Sequence, residues 1–265
     1  MLDIEAAKFD WSLKQSLRQS LRQHQQDSNW RYRDSKRFSD GFSLVKGYAA
    51  SKIELETPKF GYGKFISLGS KKIWAQRLSY VGELGFELYI ENKDATEIYQ
   101  LIVEEGKNHN LSHCGSHAMD TMRMESGFLH WGHDISPEEN QYEAGLNFAI
   151  SYKKETNFIG KESLLKIKDQ KKNRRFIMLS LKNSKPGAPL LLHEEPIYLE
   201  DKIIGRTTSG NYSFNYKKNL SFGYVSSAHS NEELSKMDLH IEVAKQKFPV
   251  IVEITPLKDK HVRFL

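Results

Sequence analysis

Residues 79–88 read S-Y-V-G-E-L-G-F-E-L, and this stretch decides how the middle of the chain folds. Phe86, Leu88 and Ile90 alternate with polar positions, among them Glu87. Side chains of a β-strand point alternately to its two faces, so the pattern predicts a strand with its apolar side chains towards a core. Glu87 then lies on the opposite face. If that face is in contact with solvent, Glu87 is an ordinary exposed carboxylate. If that face lines a cleft, the Glu87 carboxylate can accept two parallel N–H bonds from a flat heterocycle.

The neighbouring segments predict an α+β arrangement around this strand. Turn residues separate apolar runs on its N-terminal side, and apolar positions at helical spacing follow on its C-terminal side. The predicted elements are a strand over Phe65–Leu68, a turn at Gly69-Ser70, a return strand over Lys71–Val81, a helix beginning at Asp94 with Glu97 as its capping-box partner, and a helix from Ser116 to Ser126 ended by Gly127.

The pattern changes near residue 165, after which short alternating segments predict only strands. Their spacing is typical of a small barrel or sandwich of about 100 residues. The fold class is therefore α+β, with a β-barrel as the C-terminal part. The expected strands are Phe176–Leu181, Pro196–Leu199, Ile203–Thr207, Leu220–Val225, Leu239–Val243 and Val250–Ile254.

The first 57 residues are harder to assign. Apolar side chains at every fourth position predict an amphipathic helix from Asp3 to Gln25, and residues 26–46 are polar and basic, as in a loop or a disordered segment. The net charge of the 265-residue chain is +5, and Lys14 to Arg37 holds seven basic and two acidic residues. Such runs are usually solvated faces, and no nucleic-acid motif accompanies this one, so no nucleic-acid partner is predicted.

The composition of the chain also indicates in which cellular compartment the protein is expected. No stretch has the roughly 18 consecutive apolar residues that a membrane helix needs, and the N-terminus lacks the apolar core of a secretory signal. Cys114 is the single cysteine, which excludes a disulfide within the chain and favours a reducing compartment. We therefore expect a cytoplasmic protein without a membrane partner.

Other candidate chemistries are weaker. His113 and His117 have a metal-ligand spacing, but Gly115 lies between them and the glutamate of an H-E-x-x-H motif is absent, so no metal is predicted. Cys114 is expected to be a buried, inert thiol. Gly61-Tyr62-Gly63 lacks the third glycine of a dinucleotide-binding loop, so a flavin or nicotinamide site is not expected.

Three groups of motifs together resemble one family, the aminomethyltransferase (T-protein) superfamily of the glycine cleavage system. The H-W-G and T-T-S-G-x-Y-S variants point to its branch that is fused to dimethylglycine and sarcosine dehydrogenases, and the resemblance covers about residues 58–265. The motifs are S-Y-V-G-E-L-G-F-E-L (79–88); A-M-D-T-M-R-M-E-S-G-F-L-H-W-G-H-D-I (118–135) with Y-E-A-G-L (142–146) and F-I-G-K-E (158–162); and I-G-R-T-T-S-G-N-Y-S (204–213) with F-G-Y-V (222–225).

The resemblance implies tetrahydrofolate as cofactor, with Glu87 binding the pterin and Tyr80 packing beside it. It implies transfer of a one-carbon unit from a substrate of the methylated glycine class, together with a flavin-dependent dehydrogenase domain or subunit. The domains are then 1–57, unassigned; 58–165, a partial aminomethyltransferase folate-binding domain; and 166–265, a C-terminal β-barrel domain of the T-protein type.

The sequence departs from the family pattern at three places. Met119 stands where T-proteins of the glycine cleavage system carry an arginine, and Leu190-Leu191 follow Gly187-Ala188-Pro189 where a second arginine is expected. Residues 1–57 offer no match to the turn that carries the family's catalytic aspartate, so the catalytic residue is unknown. A non-catalytic folate-binding or interaction module, or a truncated chain that needs a flavoprotein partner, is the alternative function.

Overall fold

A computed structural model describes residues 59–170, 172–226 and 229–257. The helix expected over 3–25 and the loop expected over 26–46 lie outside these residues. The chain divides into two compact units, Met1–Asp120 with Asp259–Leu265, and Thr121–Lys258. None of the described helices is long and apolar enough to cross a membrane.

The first unit contains a three-stranded antiparallel sheet in the order β1-β2-β3, formed by β1 (Gly63–Leu68), β2 (Lys71–Gln76) and β3 (Glu87–Tyr89). The turn at residues 69–70 is as predicted, but β2 ends at Gln76 rather than Val81. Beyond it the Glu83 N–H donates to Ser79 Oγ at 2.9 Å, a local bond that replaces ladder pairing.

The apolar side chains on one face of the sheet and on one face of the following helix form a single core. Helix α1 (Ala95–Gly106) packs on it after a single 3₁₀ turn. The capping box expected at Asp94 is wrong: this residue has helical backbone angles, and its carboxylate bonds Lys71 Nζ at 2.7 Å instead of capping α1. The buried side chains of this core are Ile66, Leu68, Ile73, Ala75, Leu88, Ile98 and Ile102.

Helix α2 (Ser116–Glu125) ends as the sequence indicates. Gly127 has a φ of 71°, a left-handed conformation that glycine adopts without a steric penalty. The Gly127 N–H donates to Met124 O and the Phe128 N–H to Arg123 O, which is the Schellman pattern. This ending directs the chain from the helix into residues 128–135.

The second unit is a closed six-stranded barrel, which confirms the predicted C-terminal fold. The strands are β4 (Arg174–Leu181), β5 (Pro196–Leu199), β6 (Lys202–Ser213), β7 (Lys218–Ser226), β8 (Leu239–Val243) and β9 (Gln246–Glu253). Their order in the barrel is β4-β7-β6-β5-β8-β9, and β9 closes it against β4. Helix α3 (Lys161–Ile167) precedes β4, and the single turn α4 (Asn231–Leu234) lies between β7 and β8, where the sequence predicted only strands.

Strand β6 is longer than the strand predicted from the sequence, which covered Ile203–Thr207 only. Glycine has a low strand propensity, but at two positions of β6 the neighbouring backbone lies too close for a larger residue. A Cβ at Gly205 would lie 2.0 Å from Tyr224 O, and one at Gly210 would lie 2.5 Å from the carbonyl carbon of Leu191. The glycines of β6 are therefore required by packing within the barrel.

Replacing Gly205 by alanine tests this requirement. The added methyl group meets the rigid backbone of β7, so Gly205→Ala should destabilise the protein by about 1–3 kcal/mol. The measurement is the urea midpoint of unfolding, with the slope unchanged. Gly115→Ala is the control, because a Cβ there has no atom within 4 Å. Equal midpoints for the two variants would show that β7 yields to the new methyl group.

Candidate functional site

Glu87 lies on the face of the sheet opposite the core, as the alternation predicts. Leu88 is 2% exposed, and Phe86 and Ile90 pack against the same core from partly buried positions. On the other face, Glu87 pairs with Gln76 of β2. The strand therefore presents the carboxylate away from the core.

An in-register row of aromatic side chains crosses this outer face beside Glu87. Phe65 pairs with Trp74, and Trp74 pairs with Tyr89, so the three rings follow one line across β1, β2 and β3. Phe65 and Trp74 meet edge to face, with ring centroids 5.1 Å apart. Phe65 is 60% and Tyr89 47% exposed. Exposed apolar surface grouped in this way is a candidate contact surface for a partner or ligand.

Close contacts fix this row against the row that contains Glu87. A Cβ at Gly63 would lie 2.5–2.9 Å from three indole atoms of Trp74, so the ring lies directly over the Gly63 backbone. The Tyr89 hydroxyl donates to Glu87 Oε2 at 3.0 Å. A carboxylate has about four acceptor positions, so the bond from the tyrosine does not by itself fill it. The outer face thus combines a carboxylate with rings suited to a planar, N–H-bearing heterocycle.

Tyr80 lies in the irregular connection between β2 and β3 and is half-buried. The chain reverses there at Gly82, whose φ of 67° favours glycine. The role of Tyr80 beside a ligand stays a prediction.

The two positions where the family pattern led us to expect arginine are apolar core positions. Met119 is 9% exposed, and Leu191 is 1% exposed within the barrel core. A guanidinium at either place would have to be buried with a partner, so neither position contributes a charged ligand contact here.

The histidines and the cysteine form no metal centre within residues 59–170, 172–226 and 229–257. Helix α2 begins at Ser116, so His113 precedes the helix, where its ring hydrogen-bonds the Tyr99 hydroxyl. His130 and His133 contact each other through their rings, with centroids 4.6 Å apart. Cys114 is half-buried, which differs from the fully buried thiol expected from sequence.

A buried ion pair organises the second unit. Arg123, from the end of α2, and Asp134 are both 1% exposed, and Arg123 Nη1 lies 2.5 Å from Asp134 Oδ2. Arg123 Nη2 donates to Ser209 Oγ at 2.7 Å, and Asp134 Oδ1 accepts from Ser209 and Thr208 of β6. The backbone N–H of His130 also donates to Asp134. Two motifs that carry the resemblance, 118–135 and 204–213, are therefore bonded to each other.

A second buried carboxylate, Glu125, is held by neutral donors. Ser213 Oγ donates to it at 2.7 Å and Asn215 Nδ2 at 2.8 Å. Neither carboxylate was predicted from the sequence. For Glu125 the available signal was its place two residues after Arg123 at the end of α2, because charged residues are almost never fully buried unless they are paired. Both carboxylates are engaged by fixed donors, which suits positioning of the chain better than proton transfer.

An alanine variant of Asp134 tests how much this network contributes to the stability of the protein. Asp134→Ala leaves the Arg123 guanidinium buried without its anion, which should cost about 3–5 kcal/mol of unfolding free energy. Arg206→Ala is the control, since it removes the exposed Arg206–Glu194 pair and should cost about 0.2–1 kcal/mol. Thermal or urea unfolding measures both. Similar losses in the two variants would contradict a dominant role for the buried pair.

Comparisons with known proteins agree with this architecture. Residues 43–154 match the GCVT N-terminal domain, and residues 174–259 match the glycine cleavage T-protein C-terminal barrel domain. An aminomethyltransferase T of the glycine cleavage system from Bartonella henselae has the same fold, with a TM-score of 0.70 at 21% identity, over 84% of this chain and 58% of that one.

Curated relatives are similar in sequence but longer. Human mitochondrial dimethylglycine dehydrogenase is 32% identical over 201 residues, which are 75% of this chain and 22% of the relative. An aminomethyltransferase from Listeria innocua is 33% identical over 197 residues, 74% of this chain and 51% of the relative. The chain thus spans between about a fifth and half of the length of these relatives. With the two domain matches and the barrel, these similarities show that the chain belongs to the glycine cleavage T-protein superfamily.

Proposed function

We propose that this chain binds tetrahydrofolate for one-carbon transfer, with Glu87 as the main polar contact of the pterin ring. The observation that carries the proposal is the outer face of the sheet, where Glu87 lies beside the in-register rings of Trp74 and Tyr89. Membership of the superfamily supports it, because aminomethyltransferases of this family bind tetrahydrofolate.

The residues of this face fit a pterin in shape and chemistry. One edge of a pterin carries adjacent N–H donors, and a carboxylate accepts two such donors in parallel, as it does from a guanidinium. Aromatic rings bind flat heterocycles by offset or edge-to-face contact. Tyr89 holds one Glu87 oxygen in place, which limits the rotamers that binding must freeze. Tyr80 is the proposed packing neighbour.

Bound tetrahydrofolate would supply the nitrogen that accepts the one-carbon unit. The contribution of the chain is to hold and orient the two reactants, and positioning of this kind can supply about 7–11 kcal/mol of a barrier. The proposed donor belongs to the methylated glycine class, and the proposed partner is a flavin-dependent dehydrogenase. Support for both comes from the similarity to dimethylglycine dehydrogenase.

The Glu87→Gln variant tests the pterin contact. Glutamine keeps the shape but places a donor NH₂ where an acceptor oxygen was, so a charged hydrogen bond of about 1.5–3 kcal/mol is lost. Tetrahydrofolate binding should weaken by roughly ten- to a hundredfold. Calorimetry on the full chain measures it, and Glu91→Gln, an exposed carboxylate near the end of the same strand, is the matched control. Equal affinities for the two variants would remove Glu87 from the site.

A non-catalytic folate-binding module is the second candidate function. It is favoured by the engagement of both buried carboxylates, Glu125 and Asp134, by fixed donors, which leaves no proton-transferring group assigned among the described residues.

Turnover separates the two candidates. The full chain is mixed with tetrahydrofolate, dimethylglycine and a flavoprotein that oxidises dimethylglycine but has no folate domain. One-carbon transfer predicts faster formation of methylenetetrahydrofolate and less free formaldehyde than without the chain. Tetrahydrofolate binding with unchanged rates would instead establish the non-catalytic module.

A further inference from the structure

A pocket of about 720 Å³ opens at one end of the barrel, within the second unit. One wall is the loop after β4, which includes Lys182 and Lys185; the β6–β7 turn with Lys217 and the start of β7 with Lys218 also line the pocket. This volume lies within the range of small-molecule sites, about 300–1,000 Å³. No residue of the pocket has a part in the proposed pterin contact.

The wall formed by the loop after β4 is held in place by buried hydrogen bonds. Asn219, 2% exposed, donates from Nδ2 to Lys185 O at 3.0 Å, and its backbone N–H donates to Ser184 Oγ at 2.9 Å. The Lys182 N–H donates to Pro249 O of β9. A wall fixed from β7 and β9 is already formed before a ligand arrives, which lowers the entropy cost of binding.

The floor of the pocket is apolar. It includes Leu181, Ala188, Phe248, Pro249 and Ile251, of which Ile251 is 41% exposed. A hydrated inorganic ion gains nothing from such a floor, whereas the hydrocarbon part of an organic ligand is removed from water there.

The charge of the pocket has a single sign. Four lysines line it, and no acidic side chain does so among the residues that the structure describes. Lys218 is neutralised by Glu253 at 2.6 Å, and Lys182 has a loose, exposed pair with Asp238 at 3.6 Å. Lys185 and Lys217 are exposed, and neither has an acidic partner within the described ranges. One lysine without an acidic partner in these ranges therefore comes from each of two lining segments, the loop after β4 and the β6–β7 turn.

The geometry points to a second ligand site, one that binds a small organic dianion whose two acidic groups are carried by an apolar body. Lys185 binds one acidic group and Lys217 the other, while the body lies on the apolar floor near Ile251. Lysine is a compact point charge that accepts either carboxylate or phosphate, so the acidic groups are of one of these two kinds. This inference is independent of the proposed one-carbon transfer.

Calorimetry on the full chain at low salt tests the inference with a naphthalene dicarboxylate that has one carboxylate at each end of the ring. The corresponding naphthalene bis(methyl phosphate), whose two phosphodiester groups carry one negative charge each, shows which acidic group is preferred. Naphthalene monocarboxylate and inorganic phosphate each lack one feature that the pocket recognises. We expect the better of the two dianions to bind at least about ten times more tightly than either comparison ligand, a difference of about 1.4 kcal/mol or more. Added salt should weaken its binding, because exposed charges are screened.

The double variant Lys185→Gln with Lys217→Gln should lose at least about tenfold in affinity for that dianion. Lys202→Gln with Lys236→Gln is the control, since it removes the same charge from exposed positions outside the pocket. Ile251→Thr keeps a β-branched residue in β9 and should weaken the dianions while leaving inorganic phosphate unchanged.

Three results would overturn the inference. Equal losses in the pocket and control variants would mean that only the overall charge matters. Inorganic phosphate binding as tightly as the dianions would exclude a role for the apolar floor. Absence of measurable binding for both naphthalene dianions would remove the site.

Discussion

The second unit depends on one requirement: the Arg123 guanidinium, once buried, must keep its anion. Asp134 supplies that anion and uses its remaining acceptor positions on Thr208 and Ser209 of β6 and on the backbone of residue 130. The same pair therefore fixes the end of α2, the loop over 128–135 and one strand of the barrel. The Tyr224 hydroxyl donates to Asp134 O, and burial raises the pKa of this tyrosine well above its usual value, which keeps it a donor. The Schellman ending at Gly127 is what brings the loop to this position.

Much of the fold could be predicted because its determinants are local. Period-two alternation placed Leu88 in the core and Glu87 opposite it, and short alternating segments predicted the limits of β5 and β8. Where prediction failed, longer-range contacts decided. Asp94 bonds Lys71 of β2 instead of capping its own helix. The second half of β6 contains Gly210 because the backbone of Leu191 lies against it, which no local propensity reveals.

The candidate site was predictable only in part. Alternation predicts the face on which Glu87 lies, and the resemblance implies a ligand for that face. The row of Phe65, Trp74 and Tyr89 depends on strand register, which links residues far apart in the chain. The lysine pocket joins the loop after β4, the β6–β7 turn and β9, so its charge appears in sequence only as scattered lysines. A site assembled from several strands of a closed barrel therefore cannot be recognised from any single segment of the sequence.

Closure of the barrel has a consequence for how the chain is made. The ring is completed only when Met178 of β4 pairs with Glu253 of β9, the last of the six strands to be synthesised. Until then β4 has an unpaired edge, and such an edge is a template for pairing with other chains. Because this contact is far apart in sequence, its formation is intrinsically slow. Until β9 has been synthesised, the open edge of β4 must therefore be kept from pairing with other chains. The order in which the strands are translated thus affects how the barrel folds.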